Sequence, residues 1–545
     1  MIRARYSPWF VVSLSLLVCF LLSLSTFLSA DAAASAEGVQ AIRGSGSAVR
    51  VTGHMLSKRV IDMRSVPSTG ARAATLSEGA NGTTGKNATA TGTPSPTTTF
   101  QGLSYAQATC GCQAPDMALA TSSSYVLQGI NRAFAVYSPN GTLQSGWPKK
   151  FASFFGTPNP GQCSPGGLNL FDPRAFYDSN DQRFWAEVLS NEGVRDNCST
   201  VASQVWIAVS QTSNPNGAWN VYSFDLMRGT NNYGDFSQFG FDQHAVYFSS
   251  DMFSLPINSS TFQYEQSLSF NKAAMEQGQN VTPYGFSHLT SNGTLVNGVQ
   301  PVEVEATSGN GPNAGLFASS FDYKSGGGNC AKGCSGMTVW AMANPGTPSV
   351  SLSSFLVPTT GYAAAPKADQ PGCKACLDSS DPGIAGTPVW RNGQISFSLP
   401  TAINNGTQRV AGIFWGQIAV SLNSGGALAN ASMYQSGYFS YGGDTSAIYP
   451  TIIPNAQGDL VMVFQKTGSS IAPSATYAVK PAGTSLGHFP DGGIVFKQGG
   501  ATSPVSRWGD YSGVSTPAVS SNTIWFASEY EASNQTWSSY VGAVA

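Results

Sequence analysis

The chain has 545 residues, of which only 10 % are charged, and its formal net charge is −2. That balance excludes the long-range basic field with which nucleic-acid-binding and anionic-membrane-binding proteins gather their partners. The length exceeds what one simple core fills, and 60 glycines with 11 % aromatic residues favour many short strands joined by tight turns, so repetition is the economical reading.

Residues 1–32 read as an export signal. Arg3 and Arg5 precede an apolar run from Trp9 to Leu28, and Ala30-Asp31-Ala32 supplies small residues for cleavage. The alternative is a retained anchor, because the run is nearly long enough to span a bilayer. The expected location is secreted or cell-surface, with no membrane span left after signal removal. Residues 33–100 are small and polar, ending in GANGTTGKNATATGTPSPTTT, and predict a flexible spacer. One modest apolar stretch inside it, Val49 to Met63, fits either a helix or a strand.

From residue 101 to 545 the pattern repeats. The first unit opens at Ala114-Pro115-Asp116 and continues through YVLQGI and RAFAVYS, with a hairpin turn at Pro139-Asn140-Gly141. The second, from Asp172 to Asp225, is the densest. Its four apolar-aromatic runs, Ala175 to Tyr177, Arg183 to Leu189, Gln204 to Val209 and Ala218 to Phe224, are separated by Asn, Asp, Gly, Pro and Ser clusters. Further units open at Tyr233-Gly234-Asp235-Phe236, near Pro301, at Gly386-Thr387-Pro388, at Tyr449-Pro450-Thr451 and at Arg507-Trp508-Gly509-Asp510-Tyr511. Markers at Asp116, Asp172, Asp235, Pro301, Thr387, Pro450 and Asp510 stand 56, 63, 66, 86, 63 and 60 residues apart. This spacing predicts an all-β fold, a seven-bladed β-propeller of four-stranded antiparallel sheets, with six blades as the alternative. Ring closure rests either on packing or on a strand from Thr98 to Ser104.

The combination APDMALATSSSYVLQGINRAFAVYSPNGT, DPRAFYDSNDQRFW, AVSQTSNPNGAWNVYSFD, YGDFSQFGFDQHAVYFSSDMF and RWGDYSGVSTPAV resembles a group of exported, mostly bacterial proteins with sialidase-like β-propeller sequences. The resemblance covers about residues 105 to 545. It implies the fold and export, and no general activity. Pro215-Asn216-Gly217-Ala218-Trp219 also looks like a worn sialidase Asp-box, with Asn214 in place of an aspartate. Sialidases carry an F/Y-R-I-P motif that is absent here; Tyr511 with Glu529 or Glu305 are the residues that would have to serve as their nucleophile and its activator.

Once Cys19 leaves with the signal, eight cysteines remain: Cys110, Cys112, Cys163, Cys198, Cys330, Cys334, Cys373 and Cys376. An even number in an exported chain predicts disulfides. Cys330 with Cys334 and Cys373 with Cys376 would staple loops, and Cys163 would reach Cys198 or the Cys110/Cys112 pair. Cys373-x-x-Cys376 also has zinc-ligand spacing, but no histidine lies near it.

Asp116, Asp172, Asp235 and Asp510 each fall at the entry to the innermost strand of a unit, which would gather them at one mouth of a central channel. Converging carboxylates bind a hard cation such as calcium or act on a sugar; the plainer reading is that each caps its own turn. Arg174, Arg391 and Arg507 near unit starts have the guanidinium fork that carboxylate recognition uses. Trp508 is the candidate for an exposed aromatic platform, whereas the tryptophans within strands are expected to pack between blades. No cofactor is required by this pattern. The expected function is a binding or scaffolding role outside the cell, through loops at one channel mouth, with a glycan or a surface protein as partner. A glycan-processing enzyme of the sialidase-like glycoside hydrolase type is the alternative, and a structural surface or adhesion module the second.

Overall fold

The computed structural model describes residues 42–43, 46–69, 92–108, 111–157, 168–192, 202–321, 330, 333–379, 383–406 and 408–545, all within the unit Ser35–Ala545. The expected signal and most of GANGTTGKNATATGTPSPTTT lie outside these residues, as do Cys110, Cys163 and Cys198. No helix of the described residues is long and apolar enough to cross a membrane.

The strands form mainly antiparallel groups that follow the chain, and the short strand Glu303–Val304 joins the third group to the fifth by parallel pairing. The first sheet contains Ala118–Thr121, Val126–Ile130, Ala133–Tyr137 and Lys149–Lys150; the second, Asn169–Asp178, Arg183–Glu192, Ala202–Ser210 and Ala218–Asp225. The third contains Asn232–Phe241, Ala245–Ser254, Phe262–Asn271 and Tyr284–Ser287, and the fourth Gln300–Pro301, Gly315–Phe321, Cys334–Ala343 and Ser351–Tyr362. The fifth contains Val389–Arg391, Gln394–Asn404, Arg409–Leu422 and Leu428–Phe439, and the sixth Ser446–Pro454, Leu460–Gly468, Ile471–Lys480 and Ile494–Lys497. The seventh pairs Gly513–Ser515, Ile524–Glu531 and Trp537–Val544 with Thr98–Ser104. A segment from before the first sheet thus completes the last one, the strand alternative for closure.

Burial explains why so uncharged a chain adopts this arrangement. Most strands are buried on both faces, because each sheet lies between two neighbours, so both side-chain alternations must be apolar or small. Phe134, Phe154 and Phe155 of the first sheet region pack with Phe184, Trp206 and Trp219 of the second. Phe176, Trp185 and Val205 of the second pack with Phe239, Phe248 and Phe270 of the third. Tyr247 joins Phe317 and Trp340 between the third and fourth, and Trp415 joins Phe439 and Phe464 between the fifth and sixth. Tyr477 meets Phe526 between the sixth and seventh, and Trp525, Trp537 and Val541 meet Leu119, Val126 and Ile130 between the seventh and first. The packing returns to its origin, which is the β-propeller condition. The strand tryptophans are this inter-sheet filling, as expected.

Part of the expected spacer belongs to the sheets. Val49–Thr52 pairs with Tyr284–Ser287 of the third sheet, His54–Asp62 with Ala218–Asp225 of the second, and Ile42–Arg43 with Ser351–Tyr362 of the fourth. The apolar stretch Val49 to Met63 is therefore strand. These additions cover outer edges that would otherwise present unpaired backbone groups.

Cys330 is bonded to Cys334 and Cys373 to Cys376, so the Cys-x-x-Cys pair is a disulfide rather than half a zinc site. Cys112 is also disulfide-bonded. The worn Asp-box forms the turn between the third and fourth strands of the second sheet. There Trp219 is buried and its Nε1 donates to the Pro215 carbonyl at 2.9 Å, a purely structural contact.

Candidate functional site

The site is built where the innermost strands begin. Four of these strand groups enter with a non-glycine residue in the left-handed region: Asp116 at φ 47°, Asp172 at 54°, Phe236 at 53° and Tyr449 at 51°. A side chain there costs about 1 kcal/mol or more, least for aspartate and asparagine, and persists only when the surroundings impose it. Sheets packed on both sides impose it here. The ladder is irregular at the same places, between Asp235 and Gln238 and between Ile448 and Thr451. Recurrence of the same conformation makes it a feature of the repeat rather than a local accident.

Its consequence is convergence. Asp116, Asp172, Asp235 and Asp510, from the entries of the first, second, third and seventh sheets, lie close enough to repel one another's charge. Asp116 is 2 % exposed; its Oδ2 accepts from Asn131 Nδ2, while its Oδ1 is buried without a hydrogen bond. Asn131 Oδ1 accepts in turn from the Asp172 backbone N–H at 2.9 Å, tying the first two entries together. Asp235 Oδ1 accepts from the next residue's N–H at 2.9 Å, the local turn contact anticipated for such aspartates. Asp510 is ion-paired with Arg507, whose side chain is 50 % exposed and marks the solvent side of the cluster.

Deeper lies Arg174, from the strand that Asp172 opens. It is buried, donates from Nε to the Ser237 carbonyl at 3.0 Å and from Nη1 to the Ala385 carbonyl at 3.1 Å, and stacks on Tyr511 with its guanidinium carbon 3.4 Å from the ring centroid. Its Nη2 has no hydrogen bond. Tyr511 is fixed by donating to the Pro173 carbonyl at 2.8 Å. Two buried glutamates flank this layer, each with one oxygen engaged and one unused. Glu187 Oε2 accepts from Ser237 Oγ at 3.1 Å, and Glu529 Oε2 from the Gly509 N–H at 3.0 Å.

Burial of several acids together raises their proton affinity. Burial first, then the charge of Asp510, pushes Asp116 up to about 8. Burial lifts Asp510 to about 7 despite Arg507, and carries Asp172 well above the carboxylate range, reinforced by Asp116 and Asp235. Glu187 and Glu529 are raised by burial as well. The cluster therefore keeps protons to higher pH than ordinary carboxylates do, which lets it present donors as well as acceptors.

A calcium ion would demand oxygens converging on one point. Among the described residues, the acidic trio whose ligand atoms lie within 4.8 Å of one another is Asp178, Asp181 and Glu276, where Lys272 already bridges the two aspartates. The four strand-entry aspartates do not form so tight a set.

Two expected members are elsewhere. Arg391 ends the innermost strand of the fifth sheet instead of beginning it. The register Phe241–Glu303–Val389 sets it on the order of 20 Å or more along the strand direction from the level of Asp235. It faces Glu305 at 3.5 Å there, so the expected arginine trio is not assembled. Trp508 is 1 % exposed and packs in a core that includes Leu119, Tyr449 and Trp525, so it is no platform. Sequence reasoning also passed over Glu187, Asn131 and Tyr449. Tyr449 had a readable signal, because it precedes Pro450 just as Asp172 precedes Pro173 in its own unit.

No family model and no curated protein matches the chain. Among solved structures it is similar to Bacillus subtilis arabinanase Arb43A, at 11 % identity over 68 % of this chain and 94 % of that one, TM-score 0.28. It is also similar to the parainfluenza virus 5 hemagglutinin-neuraminidase ectodomain, at 8 % identity over 71 % and 82 %, TM-score 0.36. A third is 1,3Gal43A, an exo-β-1,3-galactanase from Clostridium thermocellum, at 9 % identity over 82 % and 98 %, TM-score 0.27. Values this low establish no shared activity.

Proposed function

We propose that the channel end bounded by Asp116, Asp172, Asp235 and Asp510 is a glycan-binding site of a protein that works outside the cell. The observation that carries this reading is the gathering of four carboxyl groups from four separate sheets beside Arg174 and Arg507, where burial raises the proton affinity of three of them. A sugar ring presents hydroxyls that both donate and accept. A set of carboxyls poised between charge states answers both roles at once, which neither a fully ionised nor a fully neutral set does. Arg507 and Asp510 stand at the open side, where a chain end would enter, and the disulfides suit an oxidising compartment.

Glycan processing is the second reading, favoured by Asp510. A half-buried carboxyl lifted to about 7 and set next to others is matched to general-acid protonation of a glycosidic oxygen near neutral pH. A neighbouring carboxylate would then stabilise the developing charge or activate water.

The test is a glycan array and a panel of glycosidase substrates presented to the full secreted chain, with and without chelator. Saturable binding that weakens at least tenfold in both Asp172→Asn and Asp235→Asn supports the site; turnover abolished by Asp510→Asn supports the enzyme. Binding that disappears with chelator alone moves the reading to a cation-bridged site. Silence across both panels in both conditions, with the natural chain shown to be folded, overturns the proposal.

A further inference from the structure

The strand entries share a backbone feature that sorts their side chains. Asp172-Pro173, Phe236-Ser237 and Tyr449-Pro450 are residue pairs bulged out of the inner ladder, between Phe171 and Arg174, Asp235 and Gln238, and Ile448 and Thr451. The first residue of each pair is left-handed. Phe236 therefore stands in the third sheet where Asp172 stands in the second, at the same level of the channel end.

A phenylalanine is costly there. A bulky ring strains more in this region than aspartate, whose short side chain can bond the local backbone, and burial ordinarily offsets the difference. Tyr449 meets that condition, being fully buried in the core that holds Ile448 and Trp508. Phe236 does not. It stays partly exposed, belongs to none of the apolar clusters between the sheets, and among the described residues no other aromatic ring lies against it. The space beside it is open as well. A β-carbon built on Gly298, outside its own chain neighbours, would come near nothing but the edge of the Phe236 ring, at 3.8 Å. The loop is held off the ring, because the Gly298 N–H donates to Asp251 Oδ1 at 2.9 Å and Asp251 stands opposite Asp235 in the ladder.

We propose that Phe236 is the aromatic platform of the channel end and that its ligand is a pyranose ring lying with its C–H face on the phenyl, an inference that rests on reading the cluster as a glycan site. A pyranose is apolar on a face and polar at its edge. The phenyl ring answers the face. The carboxyls around it answer the hydroxyls at the edge, beginning with Asp235, which is fixed one residue away by accepting from the Phe236 N–H at 2.9 Å. An open-chain polyol carries the same hydroxyls without a rigid face, so it gains little from the platform and loses more freedom on binding.

Two measurements test this, and the first needs no ligand. Phe236→Asn puts a residue that takes the left-handed region readily at this position, so the full chain is expected to keep or raise its melting temperature. A marked fall, as truncation of a packed core ring gives, overturns the platform. The second measures binding of methyl β-D-galactopyranoside and methyl β-D-glucopyranoside, with galactitol as the open-chain counterpart, by saturation-transfer NMR on the natural chain and on Phe236→Asn, Phe236→Trp and Asp172→Asn. At least one pyranoside is expected to bind, with galactitol and the Phe236→Asn variant each about tenfold weaker and Phe236→Trp at least as tight as the natural chain. Binding that falls in Asp172→Asn but not in Phe236→Asn, or galactitol binding as well as the pyranosides, keeps the carboxyl site and overturns the platform. Absence of pyranoside binding to the folded natural chain overturns both.

Discussion

The two ends of the innermost strands handle buried charge in opposite ways. At the far end cations stand directly among the acids: Lys272, 2 % exposed, bridges Asp178 and Asp181, and Arg391 faces Glu305, although Glu303 beside Glu305 has no ion pair among the described residues. At the entry end four aspartates from four sheets face one another, and of the two arginines beside them Arg174 spends two of its nitrogens on backbone carbonyls. Paired charges keep a fold closed; like charges gathered without enough partners raise its free energy unless something else is gained. The contrast therefore separates a structural end from one held ready for a ligand.

Removing a partner at the structural end should have the largest effect on stability. Lys272→Met strands Asp178, whose side chain is 1 % exposed, and is expected to destabilise the chain by about 3–5 kcal/mol in denaturant unfolding. Combining it with Asp178→Asn should recover part of that loss. A single-substitution effect below about 1 kcal/mol would erase the contrast between the ends.

The entry end should respond to pH in the sense set by its raised acids. Between the ordinary carboxylate range near 3.8 and about 8, folded Asp116 keeps a proton that the unfolded chain releases. The unfolded state then binds fewer protons, so stability is full below about pH 4 and falls as pH rises through that window. Asp116→Asn mimics the protonated form at every pH. It should flatten the fall and make the variant about 1–3 kcal/mol more stable than the natural chain at pH 8, read from melting temperatures across pH 4 to 9. A parallel profile in the variant would remove Asp116 from the cluster.

The repeat was legible because its signals are local: turn residues, aromatic runs and a spacing near sixty residues survive without knowledge of neighbours. Asp116, Asp172, Asp235 and Asp510 were legible for the same reason, since each opens a unit. Arg391 and Trp508 misled because nearness to a marker in sequence does not say which end of a short strand a residue occupies or which face it buries. Val389–Arg391 has three residues, so the arginine lies at its exit, and Trp508 is buried in the core. Glu187 was hidden for a different reason. It comes from a second strand and enters the layer only because cross-strand register places it opposite Arg174.

Smaller effects sharpen how the entry end is assembled. Tyr511→Phe removes the hydroxyl that donates to the Pro173 carbonyl while keeping the ring under Arg174, so a loss of about 1 kcal/mol is expected. Arg507→Gln should cost less still, under about 1 kcal/mol, because the ion pair with Asp510 is half exposed and screened by solvent. Its informative effect is on protonation. Arg507 lowers the proton affinity of both Asp510 and Asp116, so removing it should move their titration to higher pH, visible in carboxyl carbon chemical shifts. Ligand binding at this end should follow the same displacement, since the proposed site depends on how many protons the cluster holds. An unchanged titration of Asp510 would mean that Arg507 belongs to the surface and that the cluster's charge is set by the buried layer alone.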